Sequence, residues 1–166
     1  MEAVNILEHP HPVLREKCKL LPPSEFGTVS LLHLVKEMFI TLEKQEGAGL
    51  AAPQVGYPIR MFVVRPGIIP AFEERNGFAV SVPVEVINPF IIPDGTETEY
   101  ADEGCLSIPN AQYRIRRHKR IKMSWQNANG AIREEWLEGW AARVCQHEED
   151  HLHGTLILDK GRPVRK

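Results

Sequence analysis

Two histidines four residues apart, in His147-Glu148-Glu149-Asp150-His151, constrain this chain more than any other feature. Residues i and i+4 share one face of an α-helix, so a helix here aims both imidazoles at one point, where a single metal ion can accept them. Glu148, one residue on, points toward the open side of such an ion and can take a proton from water there. The flanking sequence supports the helix. It begins near Gly139, runs from Trp140 through His151 and Leu152, and meets a glycine stop at Gly154. The plain alternative is a solvated polar helix face.

A catalytic site of this type needs a third protein ligand and an open fourth position. Cys105, in Glu103-Gly104-Cys105-Leu106-Ser107, is the candidate, because Gly104 lets the backbone come close to an ion and a thiolate is a good ligand for a transition metal. Cys18, Cys105 and Cys145 are an odd number, far apart in sequence, which points to free thiols in a reducing compartment. Cys145 reads as a packed core thiol, and His153 and His33 as surface residues. His9 and His11 belong to a proline-punctuated opening loop with no evident third ligand.

The chain's 166 residues suit one domain spanning 1–166. With 20 basic and 22 acidic residues there is no surplus of positive charge for a nucleic-acid backbone or an anionic membrane. The basic run Arg114 to Arg120 alternates with apolar residues and reads as a solvated strand face. No apolar run reaches the roughly 18 residues of a membrane helix. The first residues resemble neither a signal nor a transit peptide, so the expected location is the cytoplasm.

Leu31, Leu34, Val35, Met38, Phe39 and Leu42 form the stripe of an amphipathic helix, with Thr28 or Ser30 as N-cap and Gly47 as stop. Short β-rich runs follow at 59–64, 84–87 and 115–125, and Asn127 to Gly130 turns the chain from 121–125 into a hairpin partner at 132–137. Segment 66–82 holds Asn76-Gly77, read as a hairpin turn or a surface excursion. Two substantial helices among many short strands make the class α+β.

Three motifs, Gly47-Ala-Gly-Leu-Ala-Ala-Pro-Gln-Val-Gly56, Glu103-Gly-Cys-Leu-Ser107 and Gln146-His-Glu-Glu-Asp-His-Leu152, stand in order, and here the chain resembles the peptide deformylases. The resemblance covers the chain to about Lys160. It implies short mixed or antiparallel sheets packed around a central metal-binding helix, with a second, N-terminal helix. It also implies a hydrolase that removes the formyl group from N-formylmethionine on newly made proteins. By the same resemblance Cys105, His147 and His151 hold one divalent ion, Fe2+ first and Zn2+, Ni2+ or Co2+ as alternatives. Glu148 is then the general base, and Gln54 with the backbone N–H of Leu106 donates to the formyl oxygen.

Gly47, Ala48 and Gly49 present bare backbone to an extended peptide. The resemblance implies a methionine-sized pocket lined by Trp140 and Val144, with Leu50 and Gly49 opposite and Gly104 beside the metal. Arg143 suits that wall less well than the aliphatic residue common in the family. By the same resemblance Glu103 is expected to pair with Arg117 and brace the loop carrying Cys105; Arg116 stands where the family usually has proline. The expected partners are N-formylmethionyl nascent peptides. The family's long C-terminal ribosome-docking helix is not expected here, since twelve residues follow Gly154. The competing readings are a metallopeptidase built on the same helix, disfavoured because no histidine follows Gly154 to act as a ligand, and a catalytically silent peptide-binding protein, whose mark would be loss of Glu148 or of a ligand.

Overall fold

In the computed structural model, which describes residues 2–165, apolar periodicity becomes two helices set against antiparallel sheets. Helix α1 (Val29–Lys44) starts where Thr28 Oγ accepts the Leu31 N–H at 3.3 Å. Its stripe Leu31, Leu34, Val35, Met38 and Leu42 is buried. Thr41 shares that buried face because its hydroxyl is satisfied, accepting from Val4 N and donating to Glu37 O.

Strands β1 (Gly49–Ala51), β2 (Met61–Val64), β5 (Val84–Pro93), β8 (Arg120–Gln126) and β9 (Ile132–Glu138) form a five-stranded sheet in the order β1-β2-β5-β8-β9, every pairing antiparallel. The sheet is covered on both faces. Alternation along β2 sends Met61 and Val63 into the α1 cluster, and Phe62 and Val64 into a second cluster with Val144, Cys145 and Leu152 of helix α2 (Gly139–Leu152). All four β2 residues are therefore buried, a run of apolar residues where a one-faced strand would alternate. A smaller sheet, β10-β7-β6, joins β6 (Thr98–Cys105), β7 (Ile108–His118) and β10 (Arg162–Pro163). Gln146 of α2 is tied to it: its Oε1 accepts the His118 N–H and its Nε2 donates to His118 O, much as a neighbouring strand would. Helix α2 thus lies between the two sheets. A short helix α3 (Ile157–Lys160) follows it.

The run expected as one strand over 115–125 is two strands in different sheets, β7 ending at His118 and β8 starting at Arg120. Ile115, Arg117, Ile121, Met123 and Trp125 are buried with the same parity on both sides of the break. Only exposed Lys119 interrupts that parity, its N–H going to Glu97 O and its carbonyl accepting from Gly139 N. Strand β6 was not anticipated, because its fully buried position is Glu103 rather than an apolar residue. The 66–82 segment does contain a hairpin, β3 (Phe72–Arg75) with β4 (Phe78–Ser81). Asn76 and Gly77 both have positive φ, 53° and 80°, as a two-residue primed turn requires.

Candidate metal centre and substrate groove

The helix and the small sheet bring the three expected ligands together. One donor atom each from Cys105, His147 and His151 lies within 4.8 Å of the others, and Cys105 Sγ is 3.4 Å from His151 Nε2. The two imidazoles come from successive turns of α2, centroids 5.1 Å apart and planes at 72°, so they converge from different directions. Cys105 arrives at the end of β6, where Leu106 and Ser107 turn the chain into β7 and Cys105 pairs with Ile108. The N-terminal segment holds this turn in place: His9 N donates to Ser107 O, and Leu7 N to Gln54 O.

The electrostatics around the donors favour a cation. His147 Nδ1 lies 2.9 Å from Glu103 Oε2, which leaves Nε2 as the ring's free donor atom. Burial would lower the His147 pKa, yet the Cys105 and Glu103 contacts raise it to about 10, a measure of how strongly the surroundings want positive charge there. Burial, with His147 and Arg117 adding to it, holds His151 well below the usual imidazole value, so it stays neutral with a lone pair to offer. Its Nδ1 is buried without a partner among the described residues. A thiol, two imidazoles and an outer carboxylate fit a divalent transition metal.

Glu103 is held in turn. Burial alone would raise its pKa, but hydrogen bonds from Arg117 and His147 hold it far below the carboxylate range. Arg117 grips it through both oxygens, Nε to Oε1 and Nη2 to Oε2, each at 2.9 Å. The Arg117 side chain is 2% exposed and Glu103 4%, so neither charge is shielded by water. Arg116 keeps the strand ladder intact, pairing with Tyr100.

Glu148 sits beside the donors, 3% exposed, and its Oε2 has no hydrogen-bond partner among the described residues. Burial pushes its pKa up to about 7, with His147 pulling against the shift, which leaves a carboxylate that can both take and give a proton near neutrality. Gln54 is fixed by its own backbone: Oε1 accepts the Ala51 N–H at 2.8 Å, which turns Nε2 toward Ser107 Oγ at 3.1 Å and Cys105 Sγ at 3.7 Å. A groove of about 870 Å³ opens onto Gln54, Glu103, Cys105, His147 and Glu148.

Gly47, Ala48, Gly49, Gly104, Leu106, Trp140 and Val144 line that groove. Leu50 does not: it is fully buried in the α1 cluster, because successive residues of β1 face opposite ways. Gly49 carries a steric demand as well, since a Cβ there would lie 2.5 Å from Glu148 Oε1. Strand β1 is the edge of its sheet, and although the Ala51 N–H goes to Gln54, an extended peptide can add as a further strand beside Gly49. Cys145 is fully buried and His153 is 46% exposed beside Glu149, as read from the sequence.

Sequence reasoning missed three contributors. Ser107, fully buried, accepts from Gln54. Asp150 bridges Arg117 and Lys160. Arg143, read as an awkward groove wall, does line the groove and also donates to Glu103 Oε1 at 2.7 Å. Its signal was present in the spacing, because Arg143, His147 and His151 follow one another at four-residue steps along one helix stripe.

An α+β fold whose central helix offers two histidines and an unpartnered buried carboxyl toward a cysteine defines a metal-dependent hydrolase of the HExxH kind. The sequence model of the polypeptide deformylase family matches residues 3–166. A peptide deformylase from Thermotoga maritima is 46% identical over 155 residues, covering 93% of this chain and 85% of the relative. The crystal structure of peptide deformylase from Thermotoga maritima superposes with a TM-score of 0.83 at 43% identity, covering 97% of this chain and 99% of that one. A class I type b peptide deformylase from Acinetobacter baumannii with Met-Ala-Ser bound gives 0.83 at 27% identity, covering 95% and 98%. The chain belongs to the polypeptide deformylase family.

Proposed function

We propose that this chain removes the formyl group from the N-terminal formylmethionine of newly made polypeptides and releases formate. The observation that carries the reading is the Glu148 carboxyl, buried with an unpartnered oxygen beside the Cys105, His147 and His151 donors at a groove of peptide size. Those three residues would hold one divalent ion, Fe2+ by preference over Zn2+, Ni2+ or Co2+. Such an ion supplies Lewis acidity, lowering the pKa of water toward neutrality and polarising a carbonyl.

The chain's own residues do the rest. Glu148 accepts a proton from the attacking water as the water oxygen bonds to the formyl carbon. It then delivers that proton to the amine nitrogen as the C–N bond breaks, so that a free amino terminus leaves together with formic acid, whose remaining proton passes to solvent to give formate. Gln54 Nε2 and the Leu106 N–H donate to the formyl oxygen as it becomes negative, each worth about 3–4 kcal/mol in a dry site. Glu103 keeps the His147 ring oriented, and Arg117 keeps Glu103 in place. An extended peptide adds to the β1 edge along Gly47, Ala48 and Gly49, its methionine side chain directed toward Gly104, Trp140 and Val144. Nascent chains are the proposed partners and the cytoplasm the proposed place of action, with 1–166 working as one catalytic domain.

The test is formate release from a short N-formylmethionyl peptide by anaerobically purified protein loaded with Fe2+ or Ni2+, against an acetylated control. Release confined to the formyl peptide supports the reading. A folded, metal-loaded protein that releases none overturns it, and cleavage of internal peptide bonds would then favour a metallopeptidase.

A further inference from the structure

Glu103 receives more hydrogen bonds than Arg117 and His147 provide. Its Oε1 accepts from Arg117 Nε and from Arg143 Nη1, and its Oε2 from Arg117 Nη2 and His147 Nδ1. That saturates the roughly four acceptor positions of a carboxylate. Arg143 and His147 stand one helical turn apart on α2, so a carboxyl group from β6 is clasped between consecutive turns of the helix that carries both histidines. Arg117 is shared, because its Nη1 goes to Asp150, which also takes Lys160. Arg143 makes its closest ion pair with Glu103, at 2.7 Å; Glu99 Oε1 is 3.9 Å away. Two further N–H groups go to Ile115 O of β7 at 3.1 Å and Glu99 O of β6 at 3.0 Å, so its 3%-exposed guanidinium is tied to β6 and β7 of the small sheet.

We propose that Arg143 is a positioning residue for the metal centre: its fork fixes Glu103 from the oxygen opposite His147, and so fixes the plane of the His147 ring and the direction of Nε2. A planar guanidinium can do this because its donors are rigidly arranged on separate nitrogens, Nη1 reaching Glu103 and Ile115 O and Nη2 reaching Glu99 O, whereas an ammonium gathers its three rotatable donors on one nitrogen. The inference rests on the proposed site, since it assigns Arg143 a task toward the ion that Cys105, His147 and His151 would hold. Outer partners of a metal-ligating histidine commonly change affinity by about 10- to 100-fold when removed, and Arg143 acts one bond further out, at the lower end of that range.

The experiment measures the Co2+ dissociation constant of metal-free protein by chelator competition, together with the visible spectrum of the Co2+ form. Arg143→Leu, which keeps an aliphatic body in the groove, should weaken Co2+ binding about tenfold and shift the ligand-field bands, because the His147 ring is freed to turn. In a Glu103→Gln background the same substitution should change binding less than twofold, since the path through Glu103 is already broken. Arg143→Lys, which keeps charge and length, should bind Co2+ at least threefold more weakly than the parent, and it carries the test if the leucine variant does not fold. Parent-like affinity and spectrum in Arg143→Leu or Arg143→Lys overturns the inference. So does an equal loss with Glu103 intact or replaced, which would make Arg143 a strand anchor only. A parent protein that binds no Co2+ overturns the proposed metal site itself, and the inference with it.

Discussion

Replacing Gly49 by alanine should disable the proposed proton carrier without touching any ligand. Gly49 lies in β1 without a left-handed φ, so alanine brings no backbone strain. The new methyl group would meet Glu148 at 2.5 Å from Oε1, 2.7 Å from Cδ and 2.8 Å from Cγ, whereas ordinary contact begins at 3.4 Å. The carboxyl must therefore retreat by about 0.9 Å. Because Cγ is implicated too, turning the carboxylate about its last bond does not relieve the clash, and the whole buried side chain must shift. A displacement of that size at a reacting group costs on the order of 100-fold in rate, and the overpacking costs about 1–3 kcal/mol of stability. Formate release on a formylmethionyl peptide, metal content and thermal unfolding measure these effects, with metal content unchanged. In a Glu148→Ala background, where the opposing side chain is gone, Gly49→Ala should cost almost no stability. Parent-like turnover in Gly49→Ala, or the same loss of stability in both backgrounds, would refute the steric reasoning.

Glu148→Ala should keep one metal ion per chain and lose several orders of magnitude in turnover; a fully active variant removes Glu148 from the chemistry. Cys105→Ala should lose its ion on dialysis, and undiminished metal content would take the thiol out of the ligand set. Activity of an iron form should decay in air as the thiolate site oxidises; persistence for days argues against iron as the working ion. Burial pushes the Cys18 thiol up to about 11, so iodoacetamide at pH 7 should leave it unmodified until the chain unfolds. The Arg15 hydrogen bonds hold Asp159 below its ordinary value of 3.8, so its stabilisation is present above that pH and lost as pH falls through the lower folded value. With both side chains more than a third exposed, Asp159→Asn should cost only about 0.5–1 kcal/mol at pH 7. That difference should vanish in acid, as urea unfolding at several pH values can establish.

Local spacing was enough to read both long helices and the candidates His147, Glu148 and His151, residue chemistry added Cys105, and Asn76-Gly77 stood as one of two readings, a hairpin turn or a surface excursion. A helix repeats every 3.6 residues, a primed turn needs two residues tolerant of positive φ, and metal ligation accepts few side-chain types. The break at Lys119 was hidden because burial keeps the same parity on either side of it. Leu50 was misplaced for a related reason: a three-residue strand shows no period, so the face it turns to the groove was open until β1 was paired with β2. What only the tertiary structure decided is the support of the site. Glu103 meets Arg117, Arg143 and His147 across separations of 14 to 44 residues, and Gln54 meets Ser107 across 53. The sequence by itself determined which groups could do the chemistry, because identity and short-range spacing are local properties of the chain. Which charges are stripped of water, and which neighbours they then require, depends on how two sheets close over one helix.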